Sequence, residues 1–185
     1  LLTFWLIEQL GAELGDWLRA TDTMHVSINA SPDMIGRGGM MYAAQKANLS
    51  DMLDKIVLEV TERGLADQQA IDSIRNAHKY GIRVALDDFG TGDANLLEIS
   101  KLSAHIIKLD KYFIDQLVED VPVPAIIRGL IGFAHGMDME LIAEGVETDY
   151  QLQTLRELGV EMAQGWQISK PLRAVDLIEF CADRN

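Results

Sequence analysis

Residues 84–92 read V-A-L-D-D-F-G-T-G, and the fold is read outward from them. An apolar run rich in β-formers ends abruptly in two adjacent carboxylates, Asp87 and Asp88, and then in a glycine-bearing loop. That is how a buried strand delivers acids to one edge of a sheet. Adjacent like charges repel, so their cost must be offset by a cation, a partner base or a shared proton. A metal site is one reading. The other makes Asp88 a helix N-cap or an Asx-turn residue and Asp87 a solvated strand end.

Upstream, residues 67–80 form a helical pattern with Ala70, Ile71, Ile74 and Ala77 on one face and Gly81 placed to stop it. Before it, residues 55–60 and 25–29 read as strands, and 33–47 as a helix weakened by Gly36, Gly38 and Gly39. The chain opens in an amphipathic helix whose apolar positions are Leu2, Leu6, Leu10, Leu14, Trp17 and Leu18. Downstream, strands are expected at 105–109, 140–143 and 161–164, and helices at 123–135, 149–158 and 174–182. About six strands alternate with helices, which argues a parallel α/β architecture in a single domain spanning 1–185.

At 185 residues and 48% hydrophobic content the chain can bury one sizeable core. The single Cys181 allows no disulfide framework within the chain and fits a reducing, cytoplasmic setting. No signal peptide or membrane helix is read in the apolar start, which Glu8 and Gln9 interrupt. Lys plus Arg total 16 against 29 for Asp plus Glu, a net charge of −13, so no generic affinity for duplex nucleic acid or an anionic membrane is expected. Binding a phosphate compound then needs cations.

The strand ends carry Asn29, Glu59 with Glu62, Asp87 with Asp88, Lys108 with Asp110, Glu144 with Glu147, and Gln164. In parallel α/β folds the C-terminal ends of the strands share one face, so residues distant in sequence converge there. Carboxylate and amide oxygens without His or Cys favour Mg²⁺, Mn²⁺ or Ca²⁺ over Zn²⁺. The four histidines read as packing or surface residues. A lone lysine among acids is held by ion pairs, or else positions a water or stabilises charge on a phosphoryl oxygen. There is no Ser-His-Asp order, P-loop or dinucleotide fingerprint, and the Gly-x-Gly of residues 90–92 lacks a third glycine.

Six segments, S-I-N-A-S, L-E-V-T-E, A-L-D-D-F-G-T-G, I-K-L-D, I-A-E-G-V-E and Q-G-W, occur in the order of the motifs of the EAL domain phosphodiesterases, and the chain resembles that family along essentially its whole length. The resemblance implies a modified (β/α)8 TIM-like barrel, with about six of its eight strands present here. It also implies metal-dependent hydrolysis of the bacterial messenger cyclic di-GMP to linear pGpG at a two-metal Mg²⁺ or Mn²⁺ site, commonly in a homodimer. Asn29, Glu59, Asp87 and Asp88 would bind metal, and Glu144 would be a general base or a water-linked metal partner. Lys108 would steady the attacking water, while Glu147 and Gln164 support the site. Glu62 would anchor the loop after Gly90, and Asp110 completes the Lys-x-Asp motif on the substrate side.

Two departures qualify the resemblance. The signature Glu-Ala-Leu, with its substrate-contacting arginine, occurs nowhere in the sequence, and after Gly92 the family's common Tyr-Ser-Ser-Leu is replaced by Asp93, Ala94, Asn95 and Leu96. The 185 residues alone are therefore expected to be short of one metal ligand and two strands and to be incompetent for hydrolysis. The alternative function is a catalytically inactive EAL-like module that binds cyclic di-GMP or a protein partner.

Overall fold

The computed structural model describes residues 2–31, 34–35, 38–61, 68–90, 99–100, 102 and 104–183, and only the backbone of 68–70. The chain divides into two compact units, one of residues 1–59, 67–83 and 171–185, the other of 60–66 and 84–170.

The first unit opens with helix α1 (Leu2–Ala20). Its buried positions are Ile7, Leu10, Gly15 and Leu18, whereas Leu2 and Leu6, expected on the packed face, are exposed. Small residues explain the rotation. A Cβ on Gly11 would stand 2.3 Å from the Ala47 carbonyl oxygen, so the helix packs through its glycine side at the end of α2 (Gly39–Lys46). Leu6, Leu10 and Leu14 instead line a groove of about 310 Å³ beside strand β1 (Val26–Asn29). The last carbonyls of α1 have no partners within the helix. Lys55 Nζ reaches the Leu18 oxygen at 2.6 Å and also the Thr21 oxygen, and Arg19 pairs with Asp51 at 3.0 Å.

Strand β1 pairs in parallel with β2 (Ile56–Thr61), and the register sets Asn29 opposite Glu59. Met34 and Ile35 are helical as expected, but Gly38, with φ +72°, cannot lie within a helix, so α2 begins at Gly39. Helix α3 (Gln68–Lys79) buries Ile74 and Ala77 and stops before Gly81, whose φ is +77°. Helix α7 (Ala174–Ala182) buries no side chain fully, and Cys181 on it is a half-buried free thiol.

The second unit holds four parallel strands: β3 (Arg83–Phe89), β4 (Ile106–Leu109), β5 (Glu140–Glu144) and β6 (Met162–Gln164). Neighbours pair in sequence order, β3 with β4, β4 with β5 and β5 with β6. Every residue of β4 is buried, the pattern of a central parallel strand. Leu86 lies opposite Ile107 but Phe89 lies opposite Leu109, so three residues of β3 span what two of β4 span. The extra residue is a β-bulge at Asp87–Asp88, where Asp88 takes the left-handed conformation with φ +57°.

Between the strands lie α4 (Lys111–Ile114), α5 (Ala125–Gly136) and α6 (Asp149–Glu157). Helix α4 was not expected. Helix α5 starts at Ala125 rather than 123 because a residue preceding proline, here Val123, is barred from helical backbone, and Pro124 becomes the N-cap. Helix α6 carries a capping box: Thr148 accepts from the Gln151 N–H, and the Gln151 side chain accepts from the Thr148 N–H.

Candidate active site

Strand β4 delivers a lysine where a lysine is costly. Lys108 is 3% exposed, and stripping an ammonium of water costs several kcal/mol unless it is paired. The adjacent strands supply the partners. Asp87 Oδ1 on β3 lies 3.0 Å from Lys108 Nζ, and Glu144 Oε1 at the end of β5 lies 2.6 Å away. The bulge contributes to this arrangement, because the extra residue re-aims side chains that would otherwise alternate strictly between the two faces.

One ammonium between two carboxylates leaves a net negative charge. Beside it, the Asp88 N–H donates to Asp87 Oδ1 at 3.2 Å, and the Asp88 residue is exposed. Asp87 is therefore not a solvated strand end; its side chain is 14% exposed and engaged by the lysine. Hard oxygen donors with surplus negative charge suit a hard divalent cation. Among the described residues, no three His, Cys, Asp or Glu side chains gather closely enough to hold an ion.

The other expected residues divide by place. Gln164 lies opposite Glu144 in the β5–β6 register. In the first unit, Asn29 lies opposite Glu59, which is buried, while Asn29 is exposed. Asp110 is occupied locally: its Oδ1 accepts from the Tyr112 N–H at 2.8 Å, N-capping α4. Glu147 is held by a residue that the sequence reading missed, Lys111, whose Nζ lies 2.8 Å from both Glu147 Oε1 and Asp115 Oδ1. Hydrogen bonding to Asp115, then to Glu147, raises the Lys111 pKa above its ordinary value. The Lys111–Asp115 spacing of four on a helix was a visible signal; the contact with Glu147, 36 residues away, was not. Glu62 and residues 93–96 lie outside the described residues.

The loops after β5 and β6 are joined. The Val146 N–H donates to the Gln164 oxygen at 3.0 Å and the Gln167 N–H to the Val146 oxygen at 3.0 Å. Gly165 makes this possible, because a Cβ there would stand 2.1 Å from the Val146 oxygen. Glu144 and Gln164 thus precede two loops fixed to one another.

A family model for the EAL domain matches residues 1–171. The chain belongs to the EAL domain family. Among its relatives, the probable cyclic di-GMP phosphodiesterase PdeB of Escherichia coli K12 is 33% identical over 187 residues, covering 97% of this chain and 34% of the relative. The bifunctional diguanylate cyclase/cyclic di-GMP phosphodiesterase MucR of Pseudomonas aeruginosa is 28% identical over 183 residues, 96% of this chain and 27% of the relative. This EAL chain thus spans about a third or less of the length of these curated relatives.

Two solved structures show its fold. The EAL domain of Mycobacterium smegmatis DcpA matches with a TM-score of 0.86 at 27% identity over 98% of this chain and 84% of that one. The PaMucR phosphodiesterase in complex with c-di-GMP matches with a TM-score of 0.82 at 26% identity, over 94% and 72%. The fold is α/β with parallel strands, that of the TIM-barrel-like EAL domains. Among the described residues, no helix is long and apolar enough to cross a membrane.

Proposed function

We propose that the EAL domain to which these residues belong hydrolyses cyclic di-GMP to linear pGpG in a metal-dependent phosphodiesterase reaction, in the cytoplasm and as a homodimer. The observation that carries the reading is Lys108, buried and clamped between Asp87 and Glu144 at the ends of three adjacent strands. A binding module gains little from burying an ammonium between two acids, whereas a hydrolase gains a positioned cation and a positioned base. EAL phosphodiesterases are in general metal-dependent. Asn29, Glu59, Asp87 and Asp88 are the residues proposed to hold Mg²⁺ or Mn²⁺.

When bound, such ions would acidify a water and neutralise phosphoryl charge. The chain's own groups do the rest. The Glu144 carboxylate takes a proton of the water as its oxygen bonds to phosphorus, the bond from phosphorus to one ribose oxygen breaks and that oxygen takes a proton from solvent, and the Lys108 ammonium orients the water and faces the negative charge that grows on the phosphoryl oxygens. Gln164, opposite Glu144, supports the substrate side. Glu147, held by Lys111, supports the site from the loop after β5.

The test compares these 185 residues with a protein that also carries the Glu-Ala-Leu strand, each assayed with cyclic di-GMP and Mn²⁺, following pGpG by chromatography. Turnover is expected in the longer protein and not in the 185 residues alone, and Asp87→Asn should abolish it together with metal affinity. Tight binding of cyclic di-GMP without any pGpG would replace this reading with that of a binding module.

A further inference from the structure

The loop after β6 carries an indole in an unusual setting. Trp166 is 66% exposed, although tryptophan is among the side chains that gain most from burial. The loop is not loose. Besides the two backbone bonds to Val146, the Ile168 and Ser169 N–H groups donate to the Gly165 oxygen at 3.0 and 3.1 Å, and Gln167 Nε2 donates to Asp149 Oδ1 at 2.5 Å. Gly165 is wedged against Val146, so the backbone that carries the ring is fixed to the loop after β5. Lys170 Nζ stands 5.6 Å from the ring centroid, a cation held by a π-face in a chain of net charge −13.

Location gives this pair a use. Trp166 follows Gln164 by two residues, Gln164 lies opposite Glu144, and Glu144 touches Lys108. The indole thus rises from the strand ends that bear the carboxylate–lysine cluster. An aromatic face beside a cation matches a ligand that is itself a flat base next to a phosphate. We propose that Trp166 is a stacking platform for one purine base of the dinucleotide and that Lys170 faces its phosphate, the proposal resting on the cyclic di-GMP reading of the site. The platform sets affinity and base preference and takes no part in bond breaking.

In the protein that also carries the Glu-Ala-Leu strand, the experiment compares the wild type with Trp166→Ala, Trp166→Phe and Lys170→Met, measuring KM and kcat for cyclic di-GMP and the change in indole emission on adding it. Trp166→Ala should raise KM on the order of ten- to a hundredfold, with kcat little changed. Trp166→Phe keeps an aromatic face and should hold KM within a few-fold while losing the emission change, which shows that the signal comes from Trp166 rather than Trp5 or Trp17. Lys170→Met should make KM less sensitive to salt. Wild-type KM in Trp166→Ala, or an emission change that persists in Trp166→Phe, would overturn the platform alone. A wild-type protein that neither binds nor cleaves cyclic di-GMP would overturn the site reading and the platform with it.

Discussion

Lys108 connects stability to chemistry, because the ammonium that neutralises Asp87 and Glu144 is also the one proposed to act on the water. Removing one partner of a buried ion pair leaves uncompensated charge behind. Lys108→Met should therefore cost about 3 kcal/mol, the lower end for such a loss because the carboxylates keep some contact with water, read as a shift in denaturant midpoint. Its kcat should fall as well, and a variant that keeps both midpoint and kcat would remove the lysine from both roles. Asp110 gives the opposite case. If its carboxylate serves only to cap α4, Asp110→Asn should be nearly neutral and Asp110→Ala should lose about 1 kcal/mol, with KM unchanged in both. A raised KM in Asp110→Asn would restore the substrate role that its motif suggested. The convergence of Asp87, Lys108 and Glu144 was legible in the sequence because each closes an apolar run. The Lys111–Glu147 pair and the bulge were not. A pairing across 36 residues leaves no periodic trace, and alternation cannot reveal that one strand carries a residue more than its neighbour.

At the scale of elements, five of the six strands among the described residues were legible to within a residue at each end, since β-branched and leucine runs bounded by polar residues have few alternatives, while β3 runs on through the acids that were read as closing it to Phe89. Helix ends were less so, because prolines and left-handed glycines decided them locally. The packed face of α1 was misread because leucines cover more of its circumference than one contact can bury, and Gly11, where the helix could come closest, chose among them. The end of α1 also gives a test by pH. Hydrogen bonding to Arg19 lowers the Asp51 pKa, so the pairing stabilises the fold above the ordinary aspartate range and is lost as pH falls through the depressed value. The thermal midpoint of Asp51→Asn should accordingly lie slightly below wild type at neutral pH, and the two should merge in acid. A gap that widens in acid would contradict the assigned sign. The effect is small because both groups are solvated.

For the molecule as a whole, the acidic balance and the surplus negative charge around Lys108 argue that cations are a condition of the proposed activity. Mg²⁺ or Mn²⁺ should support hydrolysis and Ca²⁺ should not, because calcium takes larger, looser coordination and is the poorer Lewis acid. Chelation followed by restoring each ion in turn, with pGpG as the readout, checks this, and equal rates with Ca²⁺ would argue against a site built on Asp87 and Asp88. Composition alone reached only metal-assisted chemistry at strand ends. Family membership came from six short motifs in order, since each is too brief to be decisive by itself.

The bulge in β3 also bears on how such a chain can change over generations. Its extra residue sits in a left-handed conformation that costs an aspartate about 1 kcal/mol or more, so Asp88→Gly, or deletion of one residue to restore even pairing, would make a sturdier strand. The same changes would remove one acid or move it off the bulge. Selection for thermal robustness and selection for turnover therefore pull this position in opposite directions, and a lineage relieved of the need to cleave its ligand should lose the irregularity here first.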